Sequence, residues 1–196
     1  MRGICTFNEK IKGFILFEQN YRNEPVTITL KLQGFKKKRK YKDYAIHIHE
    51  FGDLREGCSS TGGHFNPFNA IHGLTYKEHH IGDIISNITP NEKGNISIQW
   101  KDCKLSLFPV EKTNIIGRSI VIHEYPDDLG NWTVYKKMTE KELLEFCLER
   151  KYIKKKKDFN REKMEKYCIE QSKITGNAGG RMTCAIIGIC GEKLKN

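Results

Sequence analysis

Apolar and polar positions alternate along most of this chain. Val26 to Leu32 (VTITLKL) sets aliphatic residues between polar ones, the two-residue period of a half-buried strand. Gly3 to Phe7, Gly13 to Phe17, Tyr44 to His49, Ile81 to Ile88, Asn95 to Trp100, Ser119 to His123 and Met182 to Ile189 are short runs of similar kind. Eight short strands separated by turns predict an all-β fold, an antiparallel sandwich or barrel. No repeat recurs at a fixed period.

One stretch breaks that rhythm. Thr139-Glu140-Lys141-Glu142 has the form of a capping box, a Thr N-cap with Glu three residues on. Leu143, Leu144, Cys147 and Leu148 then follow at helical spacing. Beyond Lys154 to Lys157, Asn160 is placed to cap a second helix with Met164, Tyr167 and Cys168 on one face. Residues 139 to about 170 therefore read as a charged helical hairpin, or a partly disordered loop, inserted into a β protein. Connections this long are uncommon in compact domains.

Composition narrows the class. At 196 residues the chain has the length of a single domain, 1–196, with the insertion at about 131–175. With 38% hydrophobic and 30% charged residues it is neither disordered nor membranous in character. The apolar run Phe14 to Phe17 is too short for a signal peptide or a membrane span, so a cytoplasmic protein without a membrane partner is expected. The formal charge of +10 sits in two places: Lys36 to Lys42 carries six basic residues and no acid, and Asn131 to Thr175 carries thirteen basic and eight acidic ones. The remainder is close to neutral. Lysine runs of this kind are ordinarily solvated loops, which leaves weak, non-specific binding of nucleic acid or other polyanions.

The histidines carry the chemistry. In His47-Ile48-His49 a strand places both imidazoles on one face. His80 has Asp83 within local reach, His64 and His72 lie in a Gly-, Asn- and Pro-containing loop, and His123 ends a separate strand. Imidazole and carboxylate together suit zinc and copper, and the spacing alone says only a histidine-rich metal site.

The segments HIHEFGDLREGCSSTGGHFNPFNAIHG, HHIGD, IIGRSIVIHEYPDDLG and GNAGGRMTCAIIGI closely resemble copper/zinc superoxide dismutase, in that family's order. The resemblance implies an eight-stranded antiparallel Greek-key barrel or sandwich with a long metal-binding loop, the charged insertion falling in the electrostatic loop. It implies disproportionation of superoxide to oxygen and hydrogen peroxide, an antioxidant activity, with copper and zinc as cofactors. Copper would be held by His47, His49, His64 and His123, and zinc by His64, His72, His80 and Asp83, with His64 bridging. Asp127 would tie His47 to His72, Arg181 would guide and hold the anion beside copper, and Cys58 and Cys184 would form a disulfide. His79 would be left in solvent. Phe51-Gly52, Ile116-Gly117 and Ile187-Gly188-Ile189 match the family's homodimer surface, and a copper chaperone becomes a possible partner.

Cys5, Cys103, Cys147, Cys168 and Cys190 show no zinc-finger spacing and read as free thiols, although Cys147 and Cys168 could bridge the hairpin. The competing reading is a catalytically silent, metal-binding homologue or copper-chaperone decoy. Loss of a copper ligand or of the arginine would favour it, and neither is lost.

Overall fold

A computed structural model describes residues 1–36, 39–74 and 78–191. Strands β1 (Arg2–Asn8), β2 (Lys12–Glu18), β3 (Val26–Gln33) and β7 (Asn95–Asp102) form one antiparallel sheet, edged by β10 (Gly188–Ile189) against β1. The second sheet has the order β6 (Ser86–Ile88), β4 (Tyr44–His49), β8 (Ser119–His123), β9 (Arg181–Ile186). The chain crosses between the sheets at β3–β4, β6–β7, β7–β8 and β9–β10, a Greek-key sandwich rather than a closed barrel.

The alternation in β3 does what its pattern predicts. Val26, Ile28, Leu30 and Leu32 are buried and the residues between them are not. β4 and β8 are instead buried along their whole length. Tyr44, Ile46 and Ile48 enter the core with Ile120 and Ile122. His47 and His49 therefore face away from it. One sheet thus carries the hydrophobic core on one side and a covered polar site on the other.

Four features depart from the strand pattern. Ile81 to Ile88 does not form one strand; only Ser86–Ile88 is extended. Upstream, the Ile48 amide donates to the Gly82 carbonyl (3.0 Å) and the Gly82 amide to the Phe65 carbonyl (2.8 Å), so this backbone pins loops together instead of joining a ladder. Met182 to Ile189 breaks at Ile187, whose amide donates to Arg118 (2.8 Å) as the chain changes sheets. Ile187, expected at a dimer surface, lies in the core. The short β5 (Arg55–Cys58) and α1 (Thr133–Lys137) carry too few residues to show a period.

The insertion is helical. The capping box at Thr139 and Glu142 opens α2 (Glu140–Glu149), and the Asn160 side chain accepts from the Lys163 amide to open α3 (Arg161–Thr175). Helices of ten and fifteen residues are marginal alone in water, so their packing decides their stability. Tyr135, Leu143, Cys147, Met164 and Cys168 form a second small core. Tyr167, expected on that face, is exposed, with its ring edge against Tyr152. Cys147 and Cys168 are free thiols with sulfurs 3.8 Å apart.

Two polar contacts dock the insertion onto the sandwich. The Asp128 carboxylate accepts from the Tyr135 hydroxyl (2.6 Å), Asn177 Nδ2 (2.9 Å), the Ser172 hydroxyl (2.9 Å) and the Gly130 amide (2.9 Å). The Glu149 carboxylate accepts from the Tyr41 hydroxyl (2.8 Å) and Lys40 Nζ (3.0 Å). The basic segment is therefore not simply solvated. Arg39 stacks on Tyr44 (3.8 Å to the ring centroid) and donates to the Glu124 carbonyl, while Lys37 and Lys38 lie outside the described residues.

Asp128→Ala removes an acceptor shared by four donors, a loss of about 3 kcal/mol at the insertion. The amides of α2 and α3 should lose protection from hydrogen exchange while β3 and β7 keep theirs. Uniform loss across the chain would show that the insertion does not unfold separately.

Candidate metal centre

The site is built from strand register and one bulge. Across β4 and β8, His47 pairs with Val121 and His49 with Ser119. Between Ile122 and His123 the pairing with β9 shifts, and His123 falls opposite Arg181. Such an irregularity re-aims a side chain at the end of a strand. His64 joins β4 through an isolated bridge to His49, and the Phe65 amide donates to Ile48 (2.8 Å). At Gly82 any Cβ would strike the Ile48 carbonyl, so the loop carrying His80 and Asp83 can approach only with glycine there.

Two sets of donors result. One ring nitrogen from each of His47, His49, His64 and His123 lies within 4.8 Å of the others, and so do donors of His64, His72, His80 and Asp83. All are buried, and His64 belongs to both sets. His47 Nδ1 and His64 Nε2 have no hydrogen-bond partner, and His72 Nδ1 and His80 Nδ1 approach only Asp83, outside good hydrogen-bond geometry. His49 Nε2 and His123 Nε2 face each other at 3.3 Å. His64 Nδ1 meets Asp83 Oδ1 at 2.9 Å, and Asp83 Oδ2 lies 2.9 Å from His72 Nδ1 and 3.5 Å from His80 Nδ1.

Buried nitrogens without partners are costly in a native fold, and cations at the two foci would satisfy them together. Four imidazoles suit copper, and three imidazoles with one carboxylate suit zinc. His79 is half-buried rather than solvated; its ring meets the His80 carbonyl (2.9 Å), apart from both sets.

Asp127 joins the sets from outside. Its Oδ2 lies 2.6 Å from His47 Nε2 and its Oδ1 3.0 Å from His72 Nε2. Asn87 holds Asp127 in turn, accepting from its amide and donating to its carbonyl. The end of α3 reaches the same place: the Lys173 carbonyl accepts from the His72 amide (3.0 Å). Gly176, at φ +63°, lies so close that a Cβ would collide with Asp127 Oδ1 and His72 Nε2.

Burial sets the protonation of the metal-free site. It pushes His47, His64 and His123 well below the ordinary imidazole value, and His49 down to about 2, which leaves neutral rings with lone pairs for metal. Burial opposes protonation of His72 as well, but Asp127 and Asp83 outweigh it and lift His72 to about 10. For Asp83, burial is overcome by His64, His72 and His80, which hold it far below the usual carboxylate range.

Arg181 stands at the mouth. Its Nη1 donates to the Cys58 carbonyl (2.6 Å) and the Thr61 hydroxyl (2.9 Å), and its Nη2 to the Gly62 carbonyl (2.6 Å). The Cys58–Cys184 disulfide ties that loop to β9. A cavity of about 200 Å³ lies between Arg181 and His49, His64 and His123. Arg150 lines it too. Sequence reading counted that arginine only as charge; its one local signal is a cation at the end of α2 beside an aromatic-rich stretch.

The family model for copper/zinc superoxide dismutase matches residues 11–143. The chain belongs to this family. It is 34% identical over 191 residues to superoxide dismutase [Cu-Zn] 5 of Dictyostelium discoideum, covering 96% of this chain and 98% of that one. It is also 34% identical to the extracellular superoxide dismutase [Cu-Zn] of Drosophila melanogaster, covering 93% and 78%. Among solved structures, the clock protein EA4 superposes with a TM-score of 0.70 at 31% identity, over 96% of this chain and 94% of that one. The copper/zinc superoxide dismutases disproportionate superoxide, and this chain is an oxidoreductase of that kind with copper and zinc as cofactors. The family match ends inside α2, before Arg181 and Cys184.

Gly176→Ala should separate Asp127 from His72 without removing a donor. Zinc retention against a chelator should fall by about tenfold to a hundredfold, as for other disturbed partners of metal ligands. Unchanged retention would mean that the Asp127 contact does not support the site.

Proposed function

We propose that superoxide dismutation runs at a metal pair held by the two donor sets: copper by His47, His49, His64 and His123, and zinc by His64, His72, His80 and Asp83. One observation carries the reading. His64 belongs to both sets, with Nδ1 toward Asp83 and Nε2 otherwise unpartnered. Copper supplies the one-electron redox chemistry when bound, and zinc supplies a fixed charge that shapes the ligand frame. Two superoxide ions and two protons give one oxygen and one hydrogen peroxide.

The chain's own residues do the rest. Arg181 meets the anion at the mouth and sets its approach. His64 Nε2 accepts a proton during the first half of the cycle and returns it to the second superoxide. Asp127 fixes the His47 and His72 rings in the tautomers that point Nδ1 inward, and burial keeps His47, His49, His64 and His123 neutral. An entrance lined by arginine favours a small anionic substrate, and superoxide dismutases are known cases of such electrostatic steering.

Further readings belong to the same proposal. Residues 1–196 are one domain with the insertion at about 131–175. Exposed Phe51, Ile186 and Ile189 beside Gly52 and Gly117 support a homodimer surface. A copper chaperone is the proposed route of loading. Five free thiols support the cytoplasm, although one relative is named extracellular. No helix among the described residues is long and apolar enough to cross a membrane. Exposed Lys154 to Lys157 support weak, salt-sensitive polyanion binding only.

Metal analysis with a superoxide assay tests the core of this. The reconstituted protein should hold one copper and one zinc per chain and be active; both metals bound without activity would favour the silent homologue. His123→Ala should lose copper and turnover while keeping zinc, and Asp83→Ala should lose zinc and stability first. Arg181→Ala should retain both metals and slow turnover by about tenfold or more. Equal loss of both metals in the first two variants would overturn the division of ligands.

A further inference from the structure

The insertion delivers one residue whose position its docking does not explain. Arg150 ends α2, and its backbone amide donates to the Phe146 carbonyl (2.9 Å). Lys151 follows at φ +60° and turns the chain back, so that the Tyr152 hydroxyl reaches Asn177 (2.7 Å). Both sides of Arg150 are thus held. Its side chain lies under the insertion, and the residue is only 7% exposed.

A buried guanidinium ordinarily has a carboxylate. This one has none within 4.0 Å among the described residues, and the neighbouring Glu149 carboxylate is engaged by Tyr41 and Lys40. Nε and Nη1 have no hydrogen-bond partner. Aromatic rings explain part of the burial: the guanidinium carbon lies 4.0 Å from the Tyr125 centroid, 4.9 Å from Phe146 and 5.2 Å from Tyr41. Stacking of that kind uses the faces of the group, whereas its N–H donors lie in the plane and need acceptors of their own. Removing a guanidinium charge from water without a counter-ion is costly. The group stays charged, so that cost persists unless an anion arrives.

The cavity that Arg150 lines is the one beside His49, His64 and His123, with Arg181 on the same wall set and no acidic residue in the lining. At about 200 Å³ it admits an ion of a few heavy atoms with water, and excludes a nucleotide or a peptide.

We infer that Arg150 is a second anion-binding arginine of this cavity, acting with Arg181 to hold a small monovalent anion of the size and charge of superoxide. This rests on the proposed placement of copper at His47, His49, His64 and His123. Arg181 is exposed and held by carbonyls at the rim, whereas Arg150 is buried beneath the insertion. The two divide the work of capture and retention. The exposed lysines of the insertion act only over a Debye length, about 8 Å at physiological salt, but a desolvated arginine is screened far less.

Two probes test it. Azide is titrated optically against the copper–zinc protein, and nitrate is titrated against ¹⁵N-arginine-labelled protein as isolated, reduced so that any copper is diamagnetic. Arg150→Met should weaken azide binding by about tenfold, at low salt and at high salt alike. Arg150→Lys keeps the charge but loses the planar fork, and should weaken it by about threefold or more. Nitrate should shift the Arg150 Nε–H resonance, identified by its loss in Arg150→Lys. Wild-type azide affinity in Arg150→Met at an unchanged melting temperature overturns the proposal and leaves Arg150 a stacking residue. If Arg150→Met does not fold, wild-type affinity in Arg150→Lys overturns it instead. A wild-type protein with no azide response at copper defeats the placement of copper, while the Nε–H response to nitrate still decides the role of Arg150.

Discussion

Six imidazoles and two carboxylates buried in one place form the constraint around which this fold is arranged. Their nitrogens and oxygens cannot all satisfy one another, and several ring atoms stay unpartnered. The chain holds them in that state by fixing each from outside. His47 and His72 are tied through Asp127, Asp127 through Asn87, and the His72 amide through Lys173. The hydrophobic core lies on the opposite face of the same sheet. Packing of Ile46, Ile48, Ile120 and Ile122 therefore positions the ligands that alternate with them or follow them, and core rigidity becomes site geometry.

Legibility followed sequence separation. The His-Ile-His pair was readable because a strand's period is local, and the capping box was readable because its two partners are three residues apart. Bringing His64, His72 and Asp83 together needs long-range closure, which spacing alone does not encode; the family resemblance supplied it. Ile81 to Ile88 failed as a strand because its apolar residues line loops that lock to β4 through Gly82. Tyr167 failed as a core residue because a helix face of mixed composition left the pairing with Tyr152 open. Arg150 was invisible for the same reason. Its burial depends on Tyr41 and Tyr125, over a hundred residues and twenty-five residues away in sequence respectively.

The insertion and the metal centre are mechanically coupled at two ends. Asp128, beside Asp127, receives Tyr135, Ser172 and Asn177 of the helical unit and its exit. Gly176, where α3 ends, packs on the Asp127–His72 contact without room for a side chain. Neighbouring carboxylates thus face different tasks: Asp127 orients imidazoles, and Asp128 anchors helices. A helix pair too short to be stable alone is held by the frame that it helps to cover.

Charge placement completes that logic. Outside the two basic segments the chain is close to neutral, so its excess positive charge lies in those additions. Exposed lysines act at long range, and salt attenuates their share. Only a cation removed from solvent can act on a small anion at short range with full strength, and it remains uncompensated when no acid is placed beside it. The Lys36–Lys42 segment contributes to this indirectly: Lys40 and Tyr41 occupy the Glu149 carboxylate, the nearest acid in sequence to Arg150. The basic segment and the insertion, read separately in the sequence as solvated charge and helical hairpin, meet at Glu149, and their meeting leaves the arginine free to face the cavity.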